Sequence, residues 1–99
     1  MTGGITLTSR VRITDDVLFR DLQGEMVLLN LKTGFYFGLD PMGARIWQLI
    51  REHQDVRKVL DLLLGEYEVT DARCERDLLG FVALLSEKGL IEVCHRADP

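Results

Sequence analysis

The hydrophobic pattern of this 99-residue chain changes its period once, at Asp40-Pro41. Before this pair, short apolar runs with alternating residues are separated by turn signals, a pattern typical of antiparallel strands. After it, apolar residues recur every three or four positions, as in amphipathic helices. Because Asp is a favoured N-cap and Pro a favoured first helical residue, the pair marks the start of the first helix. The chain is therefore predicted to fold as a small sheet followed by helices.

Three strands are predicted in the first half of the chain, at residues 11–21, 25–31 and 35–39. The first strand is expected to bend at Asp15-Asp16. Gln23-Gly24 and Lys32-Thr33-Gly34 are turn signals, and Gly34 suits the positive φ of a hairpin bulge. Two tight turns in succession predict a three-stranded antiparallel meander.

Three helices are predicted in the second half, with starts at Asp40-Pro41, Asp55 and Thr70-Asp71. The third helix has an apolar stripe formed by Cys74, Leu78, Phe81, Val82 and Leu85. Gly89 is a natural residue to end it, and Leu90–Val93 follows as a short extended tail. The predicted fold class is α+β, a three-stranded antiparallel sheet followed by three helices, as in a winged helix-turn-helix domain. We expect one domain at residues 10–93, with flexible termini at residues 1–9 and 94–99.

Composition and charge exclude several classes of function. Twelve Lys and Arg residues against sixteen Asp and Glu residues give a net charge of −4, which disfavours binding to nucleic-acid phosphates. Two cysteines are too few for a disulfide framework. The N-terminus has no signal-peptide pattern, and no apolar run reaches the roughly 18 residues of a membrane helix. We therefore expect a cytoplasmic protein without membrane or nucleic-acid partners.

The sequence also lacks the motifs of common catalytic and metal sites. Its His and Cys residues are scattered rather than clustered as metal ligands, at His53, Cys74, Cys94 and His95. No Gly-x-Ser-x-Gly elbow and no phosphate-binding loop occurs. We expect no enzymatic activity, no metal and no cofactor.

The third predicted strand is expected to lie at the edge of the sheet. Its residues Phe35-Tyr36-Phe37-Gly38 include no Lys, Glu or Pro, the residues that commonly protect an exposed edge. Something is therefore expected to cover this edge: the tail Leu90–Val93, a second copy of the chain, or a peptide added as a strand. Alternatively, the three aromatic side chains are simply part of the core.

Three segments give the chain a resemblance to a known family. They are Leu28-Leu29-Asn30-Leu31-Lys32-Thr33-Gly34-Phe35-Tyr36-Phe37-Gly38-Leu39-Asp40, Gly43-Ala44-Arg45-Ile46-Trp47-Gln48-Leu49, and Asp77-Leu78-x-x-Phe81-Val82-x-x-Leu85-x-x-x-Gly89-Leu90-Ile91. Together they resemble the PqqD family over about residues 10–93, and most of all its branch in lasso-peptide and related ribosomal-peptide pathways. The aromatic strand departs from the cofactor-pathway members of the family and favours the lasso-type branch.

The resemblance implies a winged-helix module that recognises the leader segment of a ribosomal precursor peptide, a RiPP recognition element. The leader would add as a strand to the third predicted strand and rest in a groove against the third helix. The module would not be a catalyst, and its partners would be the precursor leader, a leader peptidase and a lasso cyclase. A chaperone for a radical-modified precursor peptide is the alternative within the family. A winged-helix transcription regulator is the alternative from another class.

These expectations define a candidate peptide-binding set, formed by Leu29, Phe35, Tyr36, Phe37, Gly38, Arg73, Arg76, Asp77, Leu78, Phe81, Val82 and Leu85. The apolar members would form the walls of the groove. The charged members would flank it and set the orientation and the association rate of the leader more than its affinity. We expect Arg73 and Asp77 to contact the leader, and Phe81 and Leu85 to lean more into the core.

Overall fold

The computed structural model describes residues 5–22 and 25–94 of the chain. Within these residues the strands and helices follow the order β1 (Arg10–Ile13), β2 (Val17–Leu22), β3 (Glu25–Asn30), β4 (Tyr36–Leu39), α1 (Pro41–His53), α2 (Val56–Glu66), α3 (Asp71–Glu87) and β5 (Ile91–Cys94). The turn predicted at Gln23-Gly24 lies outside the described residues, as do residues 1–4 and 95–99 of the termini predicted to be flexible.

The described strands form two separate antiparallel sheets. One sheet has the order β2-β3-β4, with Leu28 of β3 placed between Phe19 and Phe37 on the neighbouring strands. The other sheet pairs β1 with β5, with Val11 opposite Val93. The prediction of a three-stranded antiparallel sheet with three helices, an α+β architecture, is confirmed.

The prediction of one bent strand over residues 11–21 is wrong. The segment divides into β1 and β2, which belong to different sheets. The reason is that Val11 is buried in the core, at 1% exposed, and its strand pairs with the segment that follows α3. The tail Leu90–Val93 is therefore held by β1, with a further hydrogen bond from Thr14 N–H to the Leu90 carbonyl at 3.3 Å. It does not cover β4.

The packed part of the chain extends beyond the predicted domain boundaries at 10 and 93. Half-buried Ile5 and Leu7 pack against the core. Ser9 is buried, and its carbonyl accepts a hydrogen bond from Val56 N–H at 3.3 Å. At the other end, Cys94 is the last residue of β5 rather than part of a loose tail. These contacts make residues 5–9 and Cys94 part of the domain.

Local sequence signals place the ends of the helices. The side chains of Asp40, Asp55 and Thr70 cap α1, α2 and α3 by accepting hydrogen bonds from first-turn N–H groups. The predicted helix starts are therefore confirmed. Gly34 and Gly89 have φ angles of 78° and 73°, which only glycine adopts without strain. Gly34 lies in the loop that joins β3 to β4, and Gly89 follows the end of α3, as predicted.

One hydrophobic core holds the helices against the inner face of the three-stranded sheet. Its largest fully buried side chain is Trp47 of α1, whose ring meets Phe19 of β2 edge-on, with ring centres 6.3 Å apart. Other fully buried members come from β3 and all three helices, among them Leu28, Leu49, Ile50, Leu63, Leu78 and Leu85. This packing fixes α3 relative to the sheet. No helix within the described ranges combines the length and the apolar character needed to cross a bilayer.

Candidate peptide-binding groove

Strand β4 lies at one edge of the three-stranded sheet. In the part of the chain that the structure describes, it pairs with β3 alone. Asn30 N–H donates to the Phe35 carbonyl at 2.8 Å, and hydrogen-bonded pairs alternate with non-bonded pairs along an antiparallel ladder. The N–H and C=O groups of Tyr36 and Gly38 therefore point away from β3. They form the open edge, where a further strand can pair.

Helix α3 lies alongside β4 and runs in the opposite direction. Near its C-terminal end, Lys88 Nζ is 5.1 Å from the centre of the Phe35 ring. In the middle, the Phe81 and Phe37 rings are 6.5 Å apart and tilted by 30°. Near its N-terminal end, Asp77 meets the far end of β4 across a shared cavity. These three contacts align α3 with the strand from Phe35 to Leu39, and we call the space between the two elements the β4–α3 groove.

The middle and the Asp77 end of this groove form a mainly apolar cavity of about 260 Å³, which is lined by Phe37, Gly38, Leu39, Asp40, Met42, Gly43, Ile46, Asp77 and Phe81. Gly43 allows α1 and α3 to approach each other here. A Cβ atom at this position would lie 3.3 Å from the Phe81 ring and 3.2 Å from the Asp40 carboxylate. The cavity offers apolar surface to a ligand side chain.

The two ends of the groove carry opposite charge. At one end, Asp40 and Asp77 are exposed carboxylates. Arg73 lies beside this end, with its Nε 3.8 Å from Asp77 Oδ2 in an exposed pair. At the other end, the Lys88 ammonium lies over the Phe35 ring, in the range of a cation–π contact.

Asn30 ties the β3–β4 hairpin to the end of α3. Its side chain is buried, and Nδ2 donates to the carbonyls of Lys88 at 3.1 Å and Gly89 at 3.3 Å. Its Oδ1 accepts from the backbone N–H groups of Lys32 at 2.9 Å and Thr33 at 3.2 Å. Because one amide satisfies two loop donors and two helix-end carbonyls, it fixes where Lys88 sits at the end of the groove.

Six members of the predicted peptide-binding set meet at the groove: Phe35, Phe37, Gly38, Arg73, Asp77 and Phe81. The Phe35 and Phe37 rings stack with their centres 5.9 Å apart. Phe81 is only half-buried and lines the cavity. It therefore serves both the groove and the core, rather than leaning mainly into the core as expected.

Three predicted groove residues lie in the core instead. Leu78, Val82 and Leu85 are no more than 1% exposed, because the turn of α3 directs them to the face that packs against the rest of the domain. This corrects the expectation that Leu78 and Val82 are walls that a peptide touches, whereas Leu85 lies in the core as expected. All three support the groove from within.

The remaining predicted residues lie outside the groove. Leu29 and Tyr36 are on the outer face of the sheet, where Tyr36 is 65% exposed and both border a shallow apolar depression. Arg76 is exposed on α3, one residue away from the groove-lining Asp77. A strand added to β4 would pair with the backbone of Tyr36, but the Tyr36 side chain would stay on the outer face, away from the groove.

Several groove residues were absent from the predicted set. Asp40, Met42 and Gly43 enter the groove because α1 begins there, and nothing in the spacing of the sequence indicates this. Lys88 is also absent from that set, but the sequence does indicate it, because its helical spacing puts it on the same face of α3 as Asp77 and Phe81.

The groove has the chemical groups needed to bind a peptide. Across residues 5–22 and 25–94, no group of three or more His, Cys, Asp or Glu side chains is placed to hold a metal ion. Cys74 is 7% exposed, and burial raises the pKa of its thiol, which disfavours the nucleophilic thiolate. What the site presents is a set of main-chain donors and acceptors, apolar surface and two charged ends.

The chain is similar to two solved structures. One is TbiB1 in complex with the TbiA(β) leader peptide: it is 41% identical with a TM-score of 0.78, and the match covers 88% of this chain and 99% of that one. The other is lasso peptide synthetase B1 complexed with the leader peptide: it is 29% identical with a TM-score of 0.76, and the match covers 83% and 96%. A comparison with curated protein sequences gave no significant match.

A family model described as coenzyme PQQ synthesis protein D (PqqD) matches residues 25–91. The matched range runs from the start of β3 to the first residue of β5 and contains both walls of the groove. It spans more than half of the chain and agrees with the resemblance found in the sequence. The chain belongs to the PqqD family.

Proposed function

We propose that this protein binds the leader segment of a ribosomally synthesised precursor peptide in lasso-peptide biosynthesis, as a RiPP recognition element without catalytic activity. The observation that carries the proposal is the open edge of β4 beside an apolar groove. Support comes from the two similar structures, which are complexes with leader peptides at 41% and 29% identity to this chain.

In this proposal the leader adds as a strand to β4 and turns alternate side chains into the β4–α3 groove. The outward N–H and C=O groups of Tyr36 and Gly38 would supply hydrogen bonds worth about 0.5–1.5 kcal/mol each. Ordering a flexible leader opposes binding, so apolar anchors must supply the rest. An anchor against Phe37, Met42 and Phe81 would contribute about 1.5–3 kcal/mol if fully buried.

The bound leader would then be presented to partner enzymes in the cytoplasm, a leader peptidase and a lasso cyclase. The arrangement of α1–α3 against the sheet is interpreted as a winged helix-turn-helix that has been adapted to a peptide. Charge supports this use over DNA binding, because the chain is acidic overall and the groove has a carboxylate end. Duplex binding needs a local excess of cations.

A second candidate function lies within the same family. The matching family model is described as a coenzyme PQQ synthesis protein, so a role as chaperone for a radical-modified precursor peptide is the alternative to test. The aromatic strand favours the lasso branch. Binding of lasso leaders in preference to the precursor of the cofactor pathway would decide between the two.

Replacement of Tyr36 by Pro tests strand addition. The substitution removes an N–H group that points to the open edge, whereas Tyr36→Ala keeps the N–H group and removes only the side chain. Labelled TbiA(β) leader peptide and the leader of the second complex serve as probes in fluorescence anisotropy. We expect the Pro variant to lose most of its binding and the Ala variant to retain most of it.

Phe37→Pro provides a fold control in the same strand. Its N–H group bonds to β3, so this variant should lose the sheet, as measured by circular dichroism, while Tyr36→Pro keeps it. Equal binding by the wild type and a folded Tyr36→Pro variant would show that the peptide pairs elsewhere. Failure of the wild type to bind any leader peptide would contradict the proposed function.

A further inference from the structure

The groove-facing side of α3 is a stripe with opposite charges at its two ends. Asp77, Phe81, Leu84 and Lys88 follow one helix face. The stripe lies antiparallel to β4, with Lys88 at Phe35 and Asp77 at the Leu39 end. The carboxylate end and the ammonium end are therefore separated by the full length of the edge that a peptide would occupy.

Neighbouring charged residues do not cancel the difference in charge between the two ends of the groove. Asp40 adds a second carboxylate at the Asp77 end, where it also caps α1 through a 2.7 Å bond to Gly43 N–H. Arg73 can neutralise one of these two carboxylates, but not both, and its pair with Asp77 is long and exposed. At the other end, the Lys88 carbonyl is held by the buried Asn30 amide, so the ammonium group extends from a fixed backbone.

We propose that the β4–α3 groove selects leader peptides by their charge polarity. The inference rests on the proposed function and adds to it a rule of specificity. A preferred leader carries an acidic side chain where it passes Lys88 and a basic side chain where it passes Asp77 and Asp40. Apolar residues lie between them, against Phe37 and Phe81.

The polarity also links the direction of the peptide to the order of its charged residues. If the leader pairs antiparallel to β4, its basic residue precedes its apolar anchor and its acidic residue follows. In a parallel leader the order is reversed. Because charges at the rim of an interface act mainly on orientation and on the association rate, the rule should discriminate between peptides that have equally good apolar anchors.

Selection from a displayed random peptide library tests the rule without a known leader. Wild-type protein and two charge-reversal variants, Lys88→Glu and Asp77→Lys, are used as baits. We expect peptides enriched on the wild type to share one order of basic, apolar and acidic residues. Lys88→Glu should invert the preference at the acidic position only, and Asp77→Lys should invert it at the basic position only.

The chain offers matched controls for both variants. Arg57 and Asp61 of α2 form an exposed pair four residues apart, with Nε 3.5 Å from Oδ1, in the same order as Arg73 and Asp77. Asp61→Lys therefore repeats the charge change of Asp77→Lys away from the groove. Lys58→Glu does the same for Lys88→Glu. Neither control should change the selected sequences.

A selected peptide, labelled with fluorescein, then measures the size of the effect. Lys88→Glu should weaken binding roughly three- to tenfold, as expected when an exposed attraction becomes a repulsion. Replacing the peptide's acidic residue by Lys should restore it, and added salt should reduce the difference.

The outcomes separate this inference from the function on which it rests. Enriched peptides with no common charge order, or with an order that survives both reversals, would overturn charge selection and leave leader binding standing. Failure of the wild type to enrich any peptide and to bind either leader peptide would overturn both. Thermal melts of all variants confirm that the comparison is made between folded proteins.

Discussion

A Cβ atom added to Gly89 would lie 2.9 Å from Nδ2 of Asn30. The two residues are 59 positions apart, and the Asn30 amide donates to the Gly89 carbonyl at 3.3 Å. Gly89 has a φ of 73°, so its backbone already requires a residue without a side chain. Two of the segments that carry the family resemblance, the hairpin and the exit from α3, therefore meet in one contact at the Lys88 end of the groove.

Gly89→Ala should cost more stability than Gly34→Ala. Both glycines have a left-handed backbone, but a Cβ on Gly34 meets nothing within 4 Å. We expect about 1–2 kcal/mol for Gly34→Ala from the backbone alone, and about 2–4 kcal/mol for Gly89→Ala because the contact with Asn30 adds to it. Urea denaturation of both variants measures the difference. Equal costs would show that the Asn30 contact relaxes freely.

Phe81→Ala and Leu85→Ala should separate binding from stability. Phe81 lines the groove, so its removal should weaken leader binding by about 1–3 kcal/mol through the loss of apolar contact. Leu85 is fully buried, so its removal should instead cost roughly 2–5 kcal/mol of stability through a core cavity. Anisotropy titration and thermal melting are measured on both variants. A Phe81→Ala protein that binds as the wild type does would place the anchor elsewhere.

The Arg45–Glu66 pair should stabilise the protein in a pH-dependent way. Arg45 donates to the Glu66 carboxylate from Nε at 2.9 Å and from Nη2 at 2.7 Å, and these hydrogen bonds hold the pKa of Glu66 below its ordinary value. A lowered folded-state pKa means that the contribution is complete above the unfolded pKa and disappears as the pH falls through the folded one.

Glu66→Gln is therefore expected to melt at a lower temperature than the wild type at neutral pH. The two melting curves should converge as the medium is acidified below the ordinary range of a glutamate. Melting by circular dichroism across an acid series is the measurement. A difference that stays constant with pH would mean that packing, rather than the charge of Glu66, supports the contact between α1 and α2.

The two cysteines should differ in their reactivity toward a thiol reagent. Cys94 is exposed, whereas Cys74 is buried and has a raised pKa because of that burial. The Cys94→Ser variant should therefore react slowly with DTNB in the native state and rapidly in denaturant. The Cys74→Ser variant should react quickly in both. Fast native labelling of Cys74 would indicate that the N-terminal turns of α3 open easily.

Helix ends and hairpin turns followed directly from local chemistry. Asp40, Asp55 and Thr70 are caps in the structure because an N-cap needs only its own short side chain and the next turn of backbone. Gly34 and Gly89 adopt positive φ because glycine has no Cβ to oppose it, which is again a property of the single residue. The edge position of the third predicted strand also followed from the sequence, since Phe35–Gly38 closes the meander and carries none of the residues that usually protect an edge.

The partners of the strands were not predictable from local pattern. The alternation around Val11 suits any sheet, and only the packing of α3 decides that the chain returns beside β1. For that reason the tail pairs with β1 and leaves β4 open. The same packing rotates α3 so that Phe81 faces the groove while Leu85 faces the core. The spacing of apolar residues along a helix does not reveal which edge of the apolar face meets the sheet.

The sequence by itself therefore determined the three helices, the β3–β4 hairpin and the family, because caps, turns and periodicity act over a few residues. Only the tertiary structure decided what lines the groove. Asp40 and Met42 enter it through the start of α1, and Lys88 is held at its end by the buried amide of Asn30. Such contacts join residues that are distant in the chain, and they form only when one shared core fixes the helices and the sheet relative to each other.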